Sequence, residues 1–136
     1  MGAESMKKSA AAVKGIDCVY LPATNTEESA KWYMDYLGLR LRRPVHENQA
    51  QLEISPEQSI FLIKSKEPHN VNYMEINGTE QCVLTMEAEN FELLYSKMKD
   101  NGAHLSDIED NGGCGLNFYA YDPAGNKIDI WGGWPK

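Results

Sequence analysis

The chain has 136 residues, 42% of them hydrophobic and 24% charged, with a formal net charge of −7. That length can bury a core without disulfide or metal staples, and it fits one compact unit or two small fused modules. The charge is uneven: residues 69–136 hold 11 acidic and 4 basic side chains, against 9 of each in residues 1–68, which argues against a nucleic-acid partner. No apolar run approaches the roughly 18 residues of a membrane span. Lys7–Val13 is too short and too weakly apolar for a secretory leader, so a cytoplasmic location is expected. Cys18, Cys82 and Cys114 are odd in number and lack CxxC spacing, which makes them free thiols rather than a disulfide framework or a zinc knuckle.

Residues 1–14, where a second methionine, Met6, follows Met1–Ser5, are set aside as a disordered N-terminus or a cloning remnant. From Gly15, alternation predicts a strand over Ile16–Leu21, with Val19 and Leu21 on one face and Ile16, Cys18 and Tyr20 on the other. Thr24-Asn25-Thr26-Glu27 reads as a capping box, and Ala30, Tyr33 and Leu37 recur at helical spacing until Gly38 stops the helix. Strands are predicted over Leu39–Val45, Gln49–Ile54 and Ser59–Ser65, completing a βαβββ module across residues 15–65. Residues 66–80, polar with Pro68 and Gly78, read as a linker.

The pattern then repeats over residues 81–132, leaving a tail at 133–136. Gln81–Met86 reads as a strand, and Phe91, Leu94, Tyr95 and Met98 form the stripe of a second helix ended by Asn101-Gly102. Ala103–Ile108, Leu116–Tyr121 and Lys127–Trp131 are the remaining strands. The near-constant offset between Gly38 and Gly102, and between Cys18 and Gln81, points to a duplicated unit.

The last two strands carry the richest chemistry. Asp122-Pro123-Ala124-Gly125 supplies a tight turn, so the flanking residues form a hairpin. Phe118, Ala120, Ile128 and Ile130 fall on one face, and Asn117, Tyr119, Tyr121, Lys127, Asp129 and Trp131 on the other. The second face has the composition of a polar-aromatic pocket wall. Tyr20, Tyr119, Tyr121 and Trp131 are expected to form an aromatic box for a planar or cationic ligand, with Cys18, Gln81, Asn117 and Lys127 lining it. Asp129 is either an acid or base with a pKa raised by desolvation or the partner of Lys127 in a structural pair. His46, His69 and His104 read as surface residues.

Ser29–Leu39, with its Trp32-Tyr33 and Leu37-Gly38, and Asp122–Ile130, reading DPAGNKIDI, resemble two phrases of the vicinal oxygen chelate superfamily, which spans glyoxalase I, extradiol dioxygenases and fosfomycin- and bleomycin-resistance proteins. The resemblance covers residues 15–132 and implies an α+β fold of two βαβββ modules curled into an open, cup-like mixed sheet, often completed by a second subunit. It also implies metal-ligand positions on the first and last strands of each module. These fall on Cys18, Gln81 and Asp129, with an apolar residue near Leu62 where a carboxylate should stand.

One thiol, one amide and one carboxylate are a poor set for a divalent ion. A metal held by Gln81 and Asp129 is therefore the weaker alternative, and no cofactor is expected. The favoured reading is a binding protein of the bleomycin-resistance type, a homodimer that holds a small organic molecule and touches neither membrane nor nucleic acid. The rival is a glyoxalase-like lyase or isomerase in which Asp129 is a metal ligand or general base while Gln81, Cys18 or Tyr119 orients the substrate.

Overall fold

The computed structural model describes residues 11–136. Residues 11–17 carry no regular element and are exposed, and the rest of the segment expected to be disordered lies outside the described residues. The first module runs β1 (Cys18–Ala23), α1 (Thr26–Leu37), β2 (Arg40–Leu41), β3 (Gln49–Ser55) and β4 (Gln58–Lys64). A short hairpin follows, β5 (Tyr73–Met74) with β6 (Glu80–Gln81). The second module is β7 (Thr85–Glu87), α2 (Phe91–Asp100), β8 (Glu109–Asp110), β9 (Leu116–Tyr121) and β10 (Lys127–Trp131), with one turn of 3-10 helix at Gly112–Cys114.

The two four-stranded sheets have the same topology. One is ordered β1-β4-β3-β2 and the other β7-β10-β9-β8, each with its first strand parallel to its last and the remaining pairs antiparallel. The helix needed for the parallel crossover lies between first and second strand in both. The fold is therefore α+β, a duplicated βαβββ unit.

Alternation places Leu21, Ala23, Leu52, Ile60 and Leu62 of the first sheet, and Phe118, Ala120, Ile128 and Ile130 of the second, in one core, all at most 1% exposed. Tyr33 from α1 and Met98 from α2 lie between helices and sheets with no exposed surface. Helix α1 begins one residue later than the capping box suggested: Asn25 is the N-cap and its side chain accepts from the Glu28 amide. Gly38, at φ 73°, closes the helix in a left-handed conformation that a side chain would strain.

Several strand boundaries depart from the sequence reading, β1 among them, which runs Cys18–Ala23 rather than Ile16–Leu21. The second strand of each module is only two residues long, not the six or so of Leu39–Val45 or Ala103–Ile108, because these are edge strands with a single neighbour. The supposed linker contains the β5–β6 hairpin. Gln81 belongs to that hairpin, opposite Tyr73, so the first strand of the second module begins at Thr85.

Edge strand β2 is tied to β3 by Arg40 and Arg42, which donate to Glu53 at 2.7 and 3.2 Å. The hydrogen bond from Arg40 is the main cause of a Glu53 pKa below the usual carboxylate value; desolvation opposes it, while Arg42 and the two positive charges support it. With the folded value depressed, this link contributes above the unfolded pKa and is lost as pH falls through the folded one. A thermal-melt series against pH is expected to show a smaller acid-side loss of Tm in Glu53→Gln than in the parent. Parallel curves would disprove the link.

Candidate functional site

The strand registers fix which positions of the two modules correspond. Asp129 on β10 faces Thr85 on β7 and Tyr119 on β9, while Phe61 on β4 faces Tyr20 on β1 and Gln51 on β3. Phe61 is thus the first-module counterpart of Asp129, Tyr20 that of Thr85, and Val83 that of Cys18. The resemblance puts the first-module position near Leu62, within Ile60–Ile63, a range that contains Phe61, and the second-module position on Gln81. Leu62 itself is a fully buried core residue, and the Gln81 amide donates to Glu75 Oε1 at 2.8 Å within the β5–β6 region. The cause is the spacing of strand to helix, equal in the two modules, where the sequence reading had inserted two extra residues in the second.

Asp129 lies at the centre of a hydrogen-bonded chain. Thr85 Oγ1 donates to its Oδ2 at 2.9 Å and Asn117 Nδ2 to its Oδ1 at 2.8 Å. Asn117, only 5% exposed, accepts in turn from Asn111 Nδ2 at 2.7 Å. Each donor satisfies an acceptor, so the carboxylate is held in one orientation with lone pairs left over for a ligand. Above it opens a cavity of about 340 Å³ walled by Tyr119, Trp131, Trp134, Glu109 and Cys114. Trp131 is anchored by its Nε1–H to the Cys114 carbonyl at 2.7 Å and meets Trp134 edge to face, with centroids 5.0 Å apart. Burial raises the pKa of Tyr119, the Asn117 hydrogen bond opposes it, and the charges of Asp129 and Glu109 push it further up. The phenol is therefore a hydrogen-bond donor at neutral pH.

Four of the candidate residues, Asn117, Tyr119, Asp129 and Trp131, meet in this cavity. The others are engaged elsewhere. Lys127 does not pair with Asp129. Its Nζ donates to the Glu80 carbonyl at 2.6 Å and sits 4.2 Å from the centre of the Tyr119 ring, leaving the side chain 8% exposed. Tyr121 donates to Glu80 Oε1 at 3.1 Å and stacks on His104. Burial is the first cause of the upward shift of its pKa, followed by the Glu80 carboxylate. The hairpin thus covers the Lys127 and Tyr121 end of the β9–β10 face.

The aromatic box does not form: Tyr20, 65% exposed, lies against Phe61, while Tyr119, Tyr121 and Trp131 each have a different neighbour. Cys18 is half-buried and lines a separate cleft between β1 and β7. Sequence reasoning missed Thr85, Asn111, Glu109 and Trp134. Thr85 follows from the register once β7 is correctly bounded, whereas Asn111 and Trp134 sit in irregular segments that carry no periodic signal.

The positions where the family resemblance would put metal ligands hold Cys18, Phe61, Val83 and Asp129, so two of the four have no donor atom. Among the described residues no three His, Cys, Asp or Glu side chains gather closely enough to hold an ion. This donor set does not fit a divalent metal. The histidines are exposed, as expected, although His104 is stacked and His46 Nδ1 accepts from the Asn48 amide at 3.0 Å. No helix of the described residues is long and apolar enough to cross a membrane.

Residues 15–130 match the family described as the Glyoxalase/Bleomycin resistance protein/Dioxygenase superfamily. A comparison with curated protein sequences gives no match. Among solved structures, TnmS3, an antibiotic binding protein from Streptomyces sp. CB03234, is similar with a TM-score of 0.70 at 16% identity, covering 91% of this chain and 99% of that one. The bleomycin-binding protein of Streptomyces verticillus, complexed with copper(II)-bleomycin, gives 0.64 at 15% identity over 90% and 99%. Lactoylglutathione lyase from Agrobacterium tumefaciens gives 0.69 at 15% identity over 90% and 96%. At these identities the likeness concerns the fold.

Proposed function

The chain belongs to the Glyoxalase/Bleomycin resistance protein/Dioxygenase superfamily, and from that premise we propose that it is a binding protein for a small organic molecule, one with a flat apolar part and a cationic or hydrogen-bond-donating group. The observation that carries this reading is Asp129 itself, fixed by Thr85 and Asn117 at the floor of a cavity whose rim is Trp131 and Trp134. A carboxylate oriented by two donors is preorganised for a positive or donating ligand group, and the indoles supply rigid apolar area at small entropic cost. The misfit of the donor set to a divalent ion favours binding over the metal-dependent chemistry of a lyase. Antibiotic-binding proteins share the fold, which supports the same direction. The open face over Asp129 is suited to a homodimer in which a second copy closes the cup.

Titration calorimetry with bleomycin, and with a planar aromatic cation such as ethidium, tests this. Saturable binding of at least one probe is expected, weakened by about tenfold or more in Asp129→Ala, since a hydrogen bond to a charged group is worth about 1.5–3 kcal/mol. Asn117→Ala is expected to weaken it less, because Thr85 still holds the carboxylate. Equal affinity in parent and Asp129→Ala would overturn the assignment of the site.

A further inference from the structure

β1 and β7 line one cleft where the modules meet, so the far edges of the two sheets are β2 and β8, each with a single neighbour. The edge at β2 reads Arg40-Leu41-Arg42-Arg43 and the edge at β8 reads Asp107-Ile108-Glu109-Asp110, all of them exposed. Register puts Arg40 opposite Glu53 and Glu109 opposite Asn117 on the cup face, and Leu41 opposite Leu52 and Asp110 opposite Leu116 on the other face. By alternation Arg42 and Asp107 join the first face, and Arg43 and Ile108 the second. Both edges therefore carry one pattern of charged and apolar residues, with the signs reversed.

Along β2, three guanidinium groups meet only the carboxylate of Glu53. Along β8, the three carboxylates form no ion pair among the described residues. Leu41 and Ile108, each 37% exposed, stand between the charges. Charged side chains on an edge strand ordinarily guard against pairing with another chain. Two rims of opposite sign do so selectively. β2 against its own copy, or β8 against its own, sets like charges opposite each other, which destabilises the pair, whereas β2 against β8 brings opposite charges together and sets Leu41 against Ile108. The match holds for parallel and antiparallel strands alike, because each apolar residue is flanked by two charges of one sign.

We infer that these two edges form the dimer interface, with β2 of one copy lying along β8 of the other at two equivalent seams. The inference rests on the homodimer proposed above and names the edges that build it. A twofold axis satisfies both rims at once, since residues that meet at one seam meet again, exchanged, at the other. The unpaired N–H and C=O groups of the edges extend each ladder across the seam, as in strand addition. The partner's Arg40 or the partner's Arg42 then lies beside Glu109, a wall residue of the Asp129 cavity. The second copy thus completes the site, and with Glu109 neutralised Asp129 is the carboxylate left to meet a ligand.

The test is sedimentation velocity of the full chain with charge-reversed edges. The parent is expected to be a dimer whose dissociation constant rises about tenfold or more between about 0.05 and 0.5 M sodium chloride, because salt screens exposed charges. Arg40→Glu/Arg43→Glu reverses one rim and keeps the link from Arg42 to Glu53; Asp107→Arg/Glu109→Arg reverses the other. Each variant alone should dimerise about tenfold or more weakly than the parent. An equimolar mixture of the two should recover the dimer, since both seams of the mixed pair join opposite charges, and so should a chain carrying all four changes.

A dimer unmoved by salt and by both variants would overturn this interface while leaving the homodimer itself standing; a parent that is monomeric at low salt would overturn both. A mixture that stays dissociated would overturn the pairing of the rims. Species that grow beyond a dimer with concentration would overturn the twofold arrangement, since they report an open head-to-tail chain. If Arg40→Glu/Arg43→Glu fails to fold by far-ultraviolet circular dichroism, the salt response and Asp107→Arg/Glu109→Arg, which removes no ion pair from the protomer, still decide the matter.

Discussion

Asp122→Ala is expected to destabilise the chain by about 4 kcal/mol, read as a shift of the urea midpoint without loss of cooperativity. The carboxylate is 4% exposed and accepts four hydrogen bonds. Oδ1 takes the Ala124 and Asn126 amides, both at 2.9 Å, and Oδ2 takes Tyr33 O–H at 2.7 Å and Asn126 Nδ2 at 2.8 Å. The same Asn126 side chain donates to the Pro22 carbonyl at 3.0 Å and accepts the Val71 amide at 3.1 Å. One turn therefore ties β9–β10 to α1, to β1 and to the segment before β5.

Truncation takes the acceptor from the Tyr33 hydroxyl, from one of the two Asn126 side-chain N–H groups and from two turn amides, at about 1–3 kcal/mol each and less than additively. Against a total stability of about 5–15 kcal/mol that is a large fraction. Tyr33→Phe removes one donor and leaves the other three, so about 1 kcal/mol is expected. A loss below about 1 kcal/mol for Asp122→Ala would show that the turn does not hold the modules together.

The same group has a pH signature opposite to that of Glu53. Burial raises the Asp122 pKa, more than the donors Tyr33, Asn126 and Ala124 lower it. With the folded value raised, its contribution is complete below the unfolded carboxylate pKa and declines as pH rises through the folded one.

Gly115→Ala is expected to cost about 3 kcal/mol and to open the rim of the binding cavity at the same time. Gly115 has φ 85° and ψ −171°, a region open almost only to glycine. A Cβ there would overlap the Gly133 carbonyl oxygen and stand 3.1 Å from Trp131 Nε1. The strained backbone and the displaced neighbour act together, and the indole loses its seat on the Cys114 carbonyl. Urea unfolding measures the first effect and the near-ultraviolet circular dichroism of Trp131 and Trp134 the second. An unchanged aromatic spectrum would mean that the rim does not depend on this close approach.

The duplicated unit was legible in the sequence because its signals are local. Apolar residues at period two in Val19–Leu21 and Phe118–Ala120, and at helical spacing in Ala30–Tyr33 and Phe91–Met98, depend only on which side of an element meets the core. Gly38 and Gly125 mark ends of elements for equally local reasons, a backbone that must turn where φ is positive. The hairpin faces followed from the same rule, so Asn117, Tyr119, Asp129 and Trp131 were identified together.

Which of these residues act together was decided by tertiary structure alone. Lys127 and Asp129 share a strand face, yet Lys127 turns to the Glu80 carbonyl brought in by the β5–β6 hairpin and to the Tyr119 ring of the neighbouring strand, while Asp129 turns to Thr85 across a parallel strand and to Asn117. Strand pairing and loop return set these partners, and neither leaves a periodic trace in the chain. The DPAGN turn shows the difference within one motif: its glycine announces a reversal in the sequence, but its aspartate binds Tyr33, 89 positions away, a partner chosen only when the two halves close on each other.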